Sequence, residues 1–501
     1  MSRSNESVSQ GSKAGSDFLQ LDLGRAPLGG RTEWLAGRLR AAIADGTLPV
    51  GTRLPASRVL AAELGVSRGL VTEAYQRLAE TGQVAGRGRG GTVVVAAPPP
   101  APAAPVRTPD RGGLVDALRA VPCRIDLSPG VPDLTAFPRT AWLQAERRVL
   151  GGLTAADFGY GNPQGAPALR EAVAGWLARN RGIRADPDEV VIVAGVAQAL
   201  ALLAVVLRED GVRRIAVEDP GSLGARQQLE YGRLETAPVR VDAGGLDVAA
   251  LRESGAAAVL LTPAHQFPTG VVLDGERRRE LLGWVAAGGV VIEDDYDAEH
   301  RYDRAPVPAL KAMLPERVCY AGSVSKLLAP ALRLGWVLAP ERYRDAVVQA
   351  KRYADLGNAV LAQLVLADLM DSGELERHLR FVRRRHRRRR DAMLRAIAAR
   401  LPGARVHGAA AGLHLMVTFD EDRFEDTALA SAALGLGVKA HPLSWHRLGP
   451  GPPGLILGYA AGPAGEIEEG VAVFGEALGT LRRKVFSPGR QPPARSRVVR
   501  G

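Results

Sequence analysis

At 501 residues the chain exceeds what one hydrophobic core supports, and 46% apolar with 5% aromatic residues describes a globular protein of two or more domains. The net charge of +11 permits a polyanionic partner without fixing a fold, and an arginine excess can equally reflect genomic composition. Cys123 and Cys319 lack metal-like spacing, no apolar run reaches the roughly 18 residues of a membrane helix, and residues 1–20 hold no apolar signal core, so a cytoplasmic protein with reduced thiols is expected.

Residues 1–25 read as a disordered tail and residues 26–95 as the first domain. From Arg31, the apolar Trp34, Leu35, Leu39 and Ile43 recur at helical spacing until Asp45-Gly46. Pro55 and Ser57 start a second helix, with Leu60, Ala61 and Leu64 on its apolar face. Gly65-Val66 turns the chain, and Ser67 is placed to cap a third helix that buries Leu70, Val71, Ala74 and Leu78. Two short helices across a glycine turn form a helix-turn-helix. Gln83-Val84, a Gly-Arg repeat and residues 92–95 then read as a two-stranded wing. A second helix of this kind meets the major groove with its first residues. The expected DNA contacts are therefore Arg53, Ser57, Arg58, Ser67, Arg68 and Thr72, with Arg87 and Arg89 reaching the minor groove from the wing. A helical interaction domain with solvated arginines is the competing reading; the order of the elements favours DNA.

Residues 96–111 are rich in Pro and Ala and read as a semi-rigid linker, about 3.1 Å per residue where polyproline-like. Over residues 112–485 strand and helix signals alternate, as in an α/β fold with a largely parallel sheet. Strands are expected at 190–195, 214–220, 257–263 and 288–297, with a helix at 196–207. Ligands of such sheets collect at the carboxyl ends of the strands.

The chemistry-bearing residues fall there. Gly195, Val196 and Ala197 turn strand into helix, and free amides at a helix start hold phosphate, though an ordinary turn looks the same. Asp294 and Tyr296, two apart at a strand end, share a face. An acid there suits a protonated pyridine nitrogen and a phenol the ring oxygen; EDDYDAEH also fits a solvated acidic turn or, with His300, a divalent-metal site on thin grounds. Lys326 lies between the strand-like ends of residues 318–338. A lysine beside an apolar strand can lose its proton by desolvation and form an imine with an aldehyde. Ser323, Ser325 and Arg333 nearby suit a phosphate. Together these point to pyridoxal phosphate and to no metal; taken alone, SxSK reads as a surface lysine in a polar loop.

RLPASR, LAAELGVSRGLV and RGRGGT, in that order and closely spaced, resemble the winged helix of GntR-type bacterial regulators. YGNPQG (160–165), VAGVAQAL (193–200), TPAHQFPTG (262–270), IEDDYDAEHRY (292–302) and SVSKLLAPALRLGW (323–336) follow the order seen in type I aminotransferases. HQFPTG and EDDYD are most similar to the MocR family, which joins these two domains; the resemblance covers residues 31–480. It implies an α+β winged helix-turn-helix followed by an α/β type I PLP-dependent aminotransferase-like fold. It also implies that Lys326 is the Schiff-base lysine, that Asp294 partners the pyridine nitrogen, and that Tyr296 faces the phenolic oxygen. Arg333, Ser323, Ser325 and the amides of Val196 and Ala197 then hold the phosphate, and Tyr160 reaches the cofactor of the neighbouring subunit. The family's homodimer is head-to-tail, each winged helix lying over the partner's large domain.

Two departures bear on the effector. Amino-acid-sensing members carry a ring-stacking Tyr and an Arg soon after an E-x-P-G turn, where this chain has Ser222 and Gly224, with Arg226 further on. They clamp a carboxylate with the Arg of a Ser-Arg pair, where this chain has Trp445 followed by His446 and Arg447. Tryptophan cannot form a bidentate clamp. Either Arg226 or Arg447 substitutes from a shifted position, or the effector is pyridoxal phosphate itself, as in the vitamin-B6-sensing PdxR branch; the second is favoured. The run FVRRRHRRRR (381–390) reads as a helix face that is solvated or touches the protein's own acidic surface, in preference to a second DNA contact. Residues 486–501 read as a disordered basic tail. The expected function is a cofactor-dependent regulator of operator DNA; the alternative is a working aminotransferase with an appended DNA-binding domain.

Overall fold

The computed structural model describes residues 19–27, 29–97, 118, 121–302, 307–420 and 424–486, and the chain divides into two compact units at residues 110 and 111. Most of the expected linker, the start of the N-terminal tail and nearly all of the basic C-terminal tail lie outside the described residues.

In the first unit, α1 (Arg31–Ala44), α2 (Ser57–Leu64) and α3 (Arg68–Glu80) precede an antiparallel pair, β1 (Val84–Gly86) and β2 (Thr92–Val94). Gly65 ends α2 in the left-handed region at φ 63°, a backbone that glycine adopts without a Cβ penalty. Ser67 then caps α3, its Oγ accepting from the Leu70 amide at 3.3 Å. The core holds Leu35, Leu39, Ile43, Leu60, Leu64, Val71, Ala74 and Leu78, as the helical spacing predicts, while Leu70 is only partly buried. Tyr75 was not anticipated: it is buried, and its hydroxyl donates to the Pro55 carbonyl at 2.9 Å. The expected disorder of residues 1–25 is corrected from residue 19 onward. Leu21 sits inside this core, with Leu19 and Leu23 against it, because alternate leucines gain more from burial than a solvated tail allows.

The second unit is built on an eight-stranded sheet. Its strands are β3 (Val190–Val193), β4 (Arg214–Asp219), β5 (Glu235–Asp242), β6 (Gly245–Leu246), β7 (Ala258–Leu261), β8 (Val290–Asp295), β9 (Val318–Ser323) and β10 (Gly335–Leu338). They lie in the order β3-β10-β9-β8-β7-β4-β5-β6. The pairs from β9 to β5 are parallel; β10 runs antiparallel between β9 and β3, and β6 is a short antiparallel arm. Antiparallel neighbours need only a loop between them. The β9–β10 connection therefore folds back over the carboxyl edge of the sheet, carrying Lys326 and Arg333.

Helices α4 (Val196–Glu209) and α5 (Leu223–Tyr231) follow β3 and β4. The long α6 (Glu374–Arg400) leads from the sheet to a second layer, in which β11 (Ala404–His407), β12 (His414–Phe419), β13 (His441–Pro442) and β14 (Gly454–Gly458) lie in the order β11-β12-β14-β13. The amino-terminal half of α6 buries Leu375, Leu379 and Val382 in the core of the large sheet. Its carboxyl-terminal half buries Met393, Ala396 and Ile397 in the core of the second layer, under α7 (Ala464–Phe486). The arginine run lies on α6 and is divided: Arg384, Arg387 and Arg388 face solvent, whereas Arg385 and Arg389 turn inward to Asp133 at 2.8 and 3.0 Å. No helix among the described residues is long and apolar enough to cross a membrane.

Candidate functional site

A cavity of about 310 Å³ opens at the carboxyl ends of the strands. Val196, Ala197, Asp294, Tyr296, Ser323, Ser325, Lys326 and Arg333 all line it, so every expected cofactor residue except Tyr160 is brought together. Gly195 precedes α4 at φ 85°, and a Cβ there would stand 3.3 Å from the Arg333 guanidinium. The arginine is fixed by donating to the Ala194 carbonyl, which places it beside the first amides of α4. Lys326 lines the same cavity, its Nζ donating to the Gly130 carbonyl.

Adjacent acids of β8 take opposite faces. Asp295 turns into the core, where it accepts from Arg181 and from the Tyr320 hydroxyl, both buried. Asp294 faces the cavity, and its Oδ1 is buried without a hydrogen-bond partner. Burial, reinforced by the neighbouring Asp295, Asp297 and Glu218, raises its carboxyl to about 7. Burial and Asp297 likewise hold the Tyr296 phenol well above its ordinary value, so it stays protonated and can donate. These placements set aside the solvated acidic turn, and no cluster of three metal-ligating side chains occurs among the described residues. An amine, an anion cradle of serines, amides and arginine, and an orphaned acid across from them form the donor set that fits pyridoxal phosphate.

His265 and Glu218 were not singled out from the sequence. His265 Nδ1 lies 3.0 Å from the Tyr296 hydroxyl and 3.0 Å from Asp297 Oδ2, so it fixes the phenol. Glu218 accepts from the Thr262 amide and hydroxyl at 3.1 and 2.7 Å, and burial raises it to about 7. HQFPTG carried the only signal for the first; a buried acid on β4 has none.

The remaining wall is aromatic and imidazole. Phe267, His414, His441 and His446 line it together with Ser222 and Gly224. His441 and His446 stack at 5.6 Å and 16°, with Nδ1 and Nε2 3.3 Å apart. Burial lowers His414 to about 4 and His446 to about 3, so both are neutral at physiological pH. His446 thus lies where expected but cannot act as a cationic clamp. The two arginines expected to substitute for a clamp do not line this cavity. Arg447 donates to the Gly451 and Pro452 carbonyls, both at 2.9 Å, because the adjoining Gly-Pro loop presents them, and it borders a separate cavity beside Asp426. Arg226 lines a small side cavity with Glu218 and Asp294, 3.9 Å from Glu230. Tyr160 is 96% exposed and does not line this chain's cavity.

In the first unit, Arg53, Arg58, Ser67, Arg68, Thr72 and Arg87 are exposed and Ser57 half-buried. Arg68 Nε donates to Ser57 Oγ at 3.4 Å, joining the starts of α2 and α3, and the Arg53 guanidinium lies against Gly91 of the wing. The side chain of Arg89 is outside the described residues.

Fold and site together define a winged-helix DNA-binding domain joined to an aminotransferase-like cofactor domain. Residues 31–94 match the model for bacterial regulatory proteins of the gntR family, and residues 124–472 that for aminotransferase class I and II. The chain is 32% identical to the probable rhizopine catabolism regulatory protein MocR of Rhizobium meliloti, over 87% of this chain and 91% of that protein. It is 33% identical to the HTH-type pyridoxine biosynthesis transcriptional regulator PdxR of Corynebacterium glutamicum, over 85% and 91%. Among solved structures, the α-aminoadipate aminotransferase LysN of Thermus thermophilus, complexed with N-(5'-phosphopyridoxyl)-L-leucine, is similar with TM-score 0.67 and 29% identity, over 74% of this chain and 95% of that one. The chain belongs to the MocR family, HTH-type transcriptional regulators that carry an aminotransferase-like domain. The family reading takes precedence over an aminotransferase with an appended domain, and its large domain implies pyridoxal phosphate.

Proposed function

We propose that this regulator senses pyridoxal phosphate itself, and that occupancy of the cavity changes the affinity of the winged helix for operator DNA. The observation that carries this reading is the orphaned Asp294 Oδ1 in the same cavity as Lys326, while the wall carries the neutral imidazoles of His414 and His446 and no arginine at the expected clamp position. Bound there, the cofactor supplies an aldehyde that reacts reversibly with amines. Lys326 holds that end, Asp294 binds the protonated ring nitrogen and Tyr296 donates to the ring oxygen. Ser323, Ser325, Arg333 and the Val196 and Ala197 amides hold the phosphate. Neutral imidazoles in place of an arginine disfavour a carboxylate-bearing effector, and the pyridoxine-biosynthesis relative supports the same direction. An amino compound is the second reading, favoured only by Arg226 in the adjoining side cavity.

We assign Tyr160 to the cofactor of a neighbouring subunit in a head-to-tail homodimer, a role its exposure supports, and the protein to the cytoplasm. Purified protein titrated with pyridoxal phosphate should develop the visible absorption band of the lysine-bound cofactor, and Lys326→Ala should abolish it. A band of wild-type position and intensity in the variant would count against the assignment. Operator binding that responds to free amino acids and ignores pyridoxal phosphate would favour the second reading.

A further inference from the structure

Two buried histidines belong neither to the cavity nor to the DNA surface, yet both touch the lysine loop. His300, in the 3-10 turn Ala298–His300, has Nε2 3.2 Å from the Lys326 carbonyl. His378, on α6, has Nε2 3.1 Å from the Leu327 carbonyl. A carbonyl only accepts, so each imidazole carries its proton on Nε2 and donates. Burial lowers both imidazoles, His300 to about 4, so the neutral tautomer persists across physiological pH.

The His300 ring also packs on His386 of α6 at 5.1 Å. A third contact comes from the same helix. Arg385 and Arg389 hold buried Asp133, three residues beyond Gly130, whose carbonyl accepts from Lys326 Nζ. His378, Arg385, His386 and Arg389 follow helical spacing and share one face of α6. That face therefore grips the main chain on both sides of the Lys326 amine. The helix carrying it is the one whose two halves are buried in different cores.

We propose that His300 and His378 are positioning residues for Lys326, holding the lysine loop by hydrogen bonds to two successive carbonyls, His300 from the turn after β8 and His378 from α6. Accordingly the inward half of the arginine run serves the cofactor site, and only its outward half is a solvated face. The proposal rests on the reading that Lys326 holds pyridoxal phosphate.

The test uses the full chain loaded with pyridoxal phosphate. His300→Phe and His378→Leu keep an apolar side chain in place and remove the donor; His378→Gln keeps an amide donor. Three quantities are read: the circular dichroism of the visible cofactor band, the pH midpoint of that band, and the rate of cofactor loss. Both donor-less variants should lose cofactor about three- to tenfold faster, the effect of one net hydrogen bond, with a shifted midpoint and altered dichroism; His378→Gln should restore wild-type behaviour. Should the leucine variant not fold, His300→Phe decides. A lower melting temperature with unchanged band and release in the folded variants would overturn the proposal, leaving the imidazoles a purely structural role. Absence of any band in the wild type would instead overturn the cofactor reading beneath it.

Discussion

Asp294 and Asp295 are chemically identical neighbours, and the pleat of β8 alone gives them different tasks. Asp295 is paired with buried Arg181, whereas Asp294 is held near 7 by burial with its Oδ1 unpaired. A carboxyl raised in the folded state favours folding below its unfolded value, near 4, and loses that contribution as pH rises through the folded value. Glu218, Glu293 and Glu299, each raised to about 7, act in the same sense between pH 5.5 and 8, whereas the buried histidines His300, His378, His386, His414 and His446, lowered by burial, act in the opposite one. The test is therefore a difference: Asp294→Asn removes one destabilising share at high pH, so the melting temperature of the unloaded variant relative to wild type should be higher at pH 8 than at pH 5.5. The same offset from wild type at both pH values would contradict the assignment. The period of two made Asp294 and Tyr296 legible as a pair. His265 was not, since its partners Tyr296 and Asp297 lie some thirty residues away and only packing brings them together.

At the scale of elements, α3 and the β9–β10 loop were both readable because each is bounded by local signals. Ser67 caps the helix, and Gly335 and Ser323 bring two apolar strands into antiparallel register around Lys326. What stayed hidden was tertiary. Leucines of the supposed tail bury against α1–α3, and while the arginine run was expected to be solvated or to touch the protein's own acidic surface, nothing local marked Asp133, far along the chain, as the acid that Arg385 and Arg389 meet. Arg447 differs for a local reason, its guanidinium being taken up by carbonyls four and five residues on. Arg68 opens α3, exposed and tied to Ser57. Arg68→Ala should weaken operator binding by about 1–3 kcal/mol while the cofactor band is unchanged, as read by binding isotherms at fixed salt. Equal affinity for wild type and variant would remove Arg68 from the interface.

Across the whole molecule, the order of a winged helix and an α/β cofactor domain was legible because each carries several motifs in sequence. The reversal of β10 and the four-stranded layer were not, since short apolar strands announce no partner or direction. Tyr160, exposed in this chain, is proposed to act in a neighbouring subunit. Tyr160→Phe should raise the cofactor dissociation constant while sedimentation still reports a dimer; a monomer at micromolar concentration, or unaltered affinity, would contradict the shared site. The central claim is that cofactor chemistry at Lys326 controls DNA binding, and one titration tests it most directly. Operator affinity of the full chain is measured against rising pyridoxal phosphate, for wild type and Lys326→Ala at the same salt. The wild-type affinity should shift and then saturate while that of the variant stays flat; an identical response from both proteins, or none from the wild type, would contradict the account.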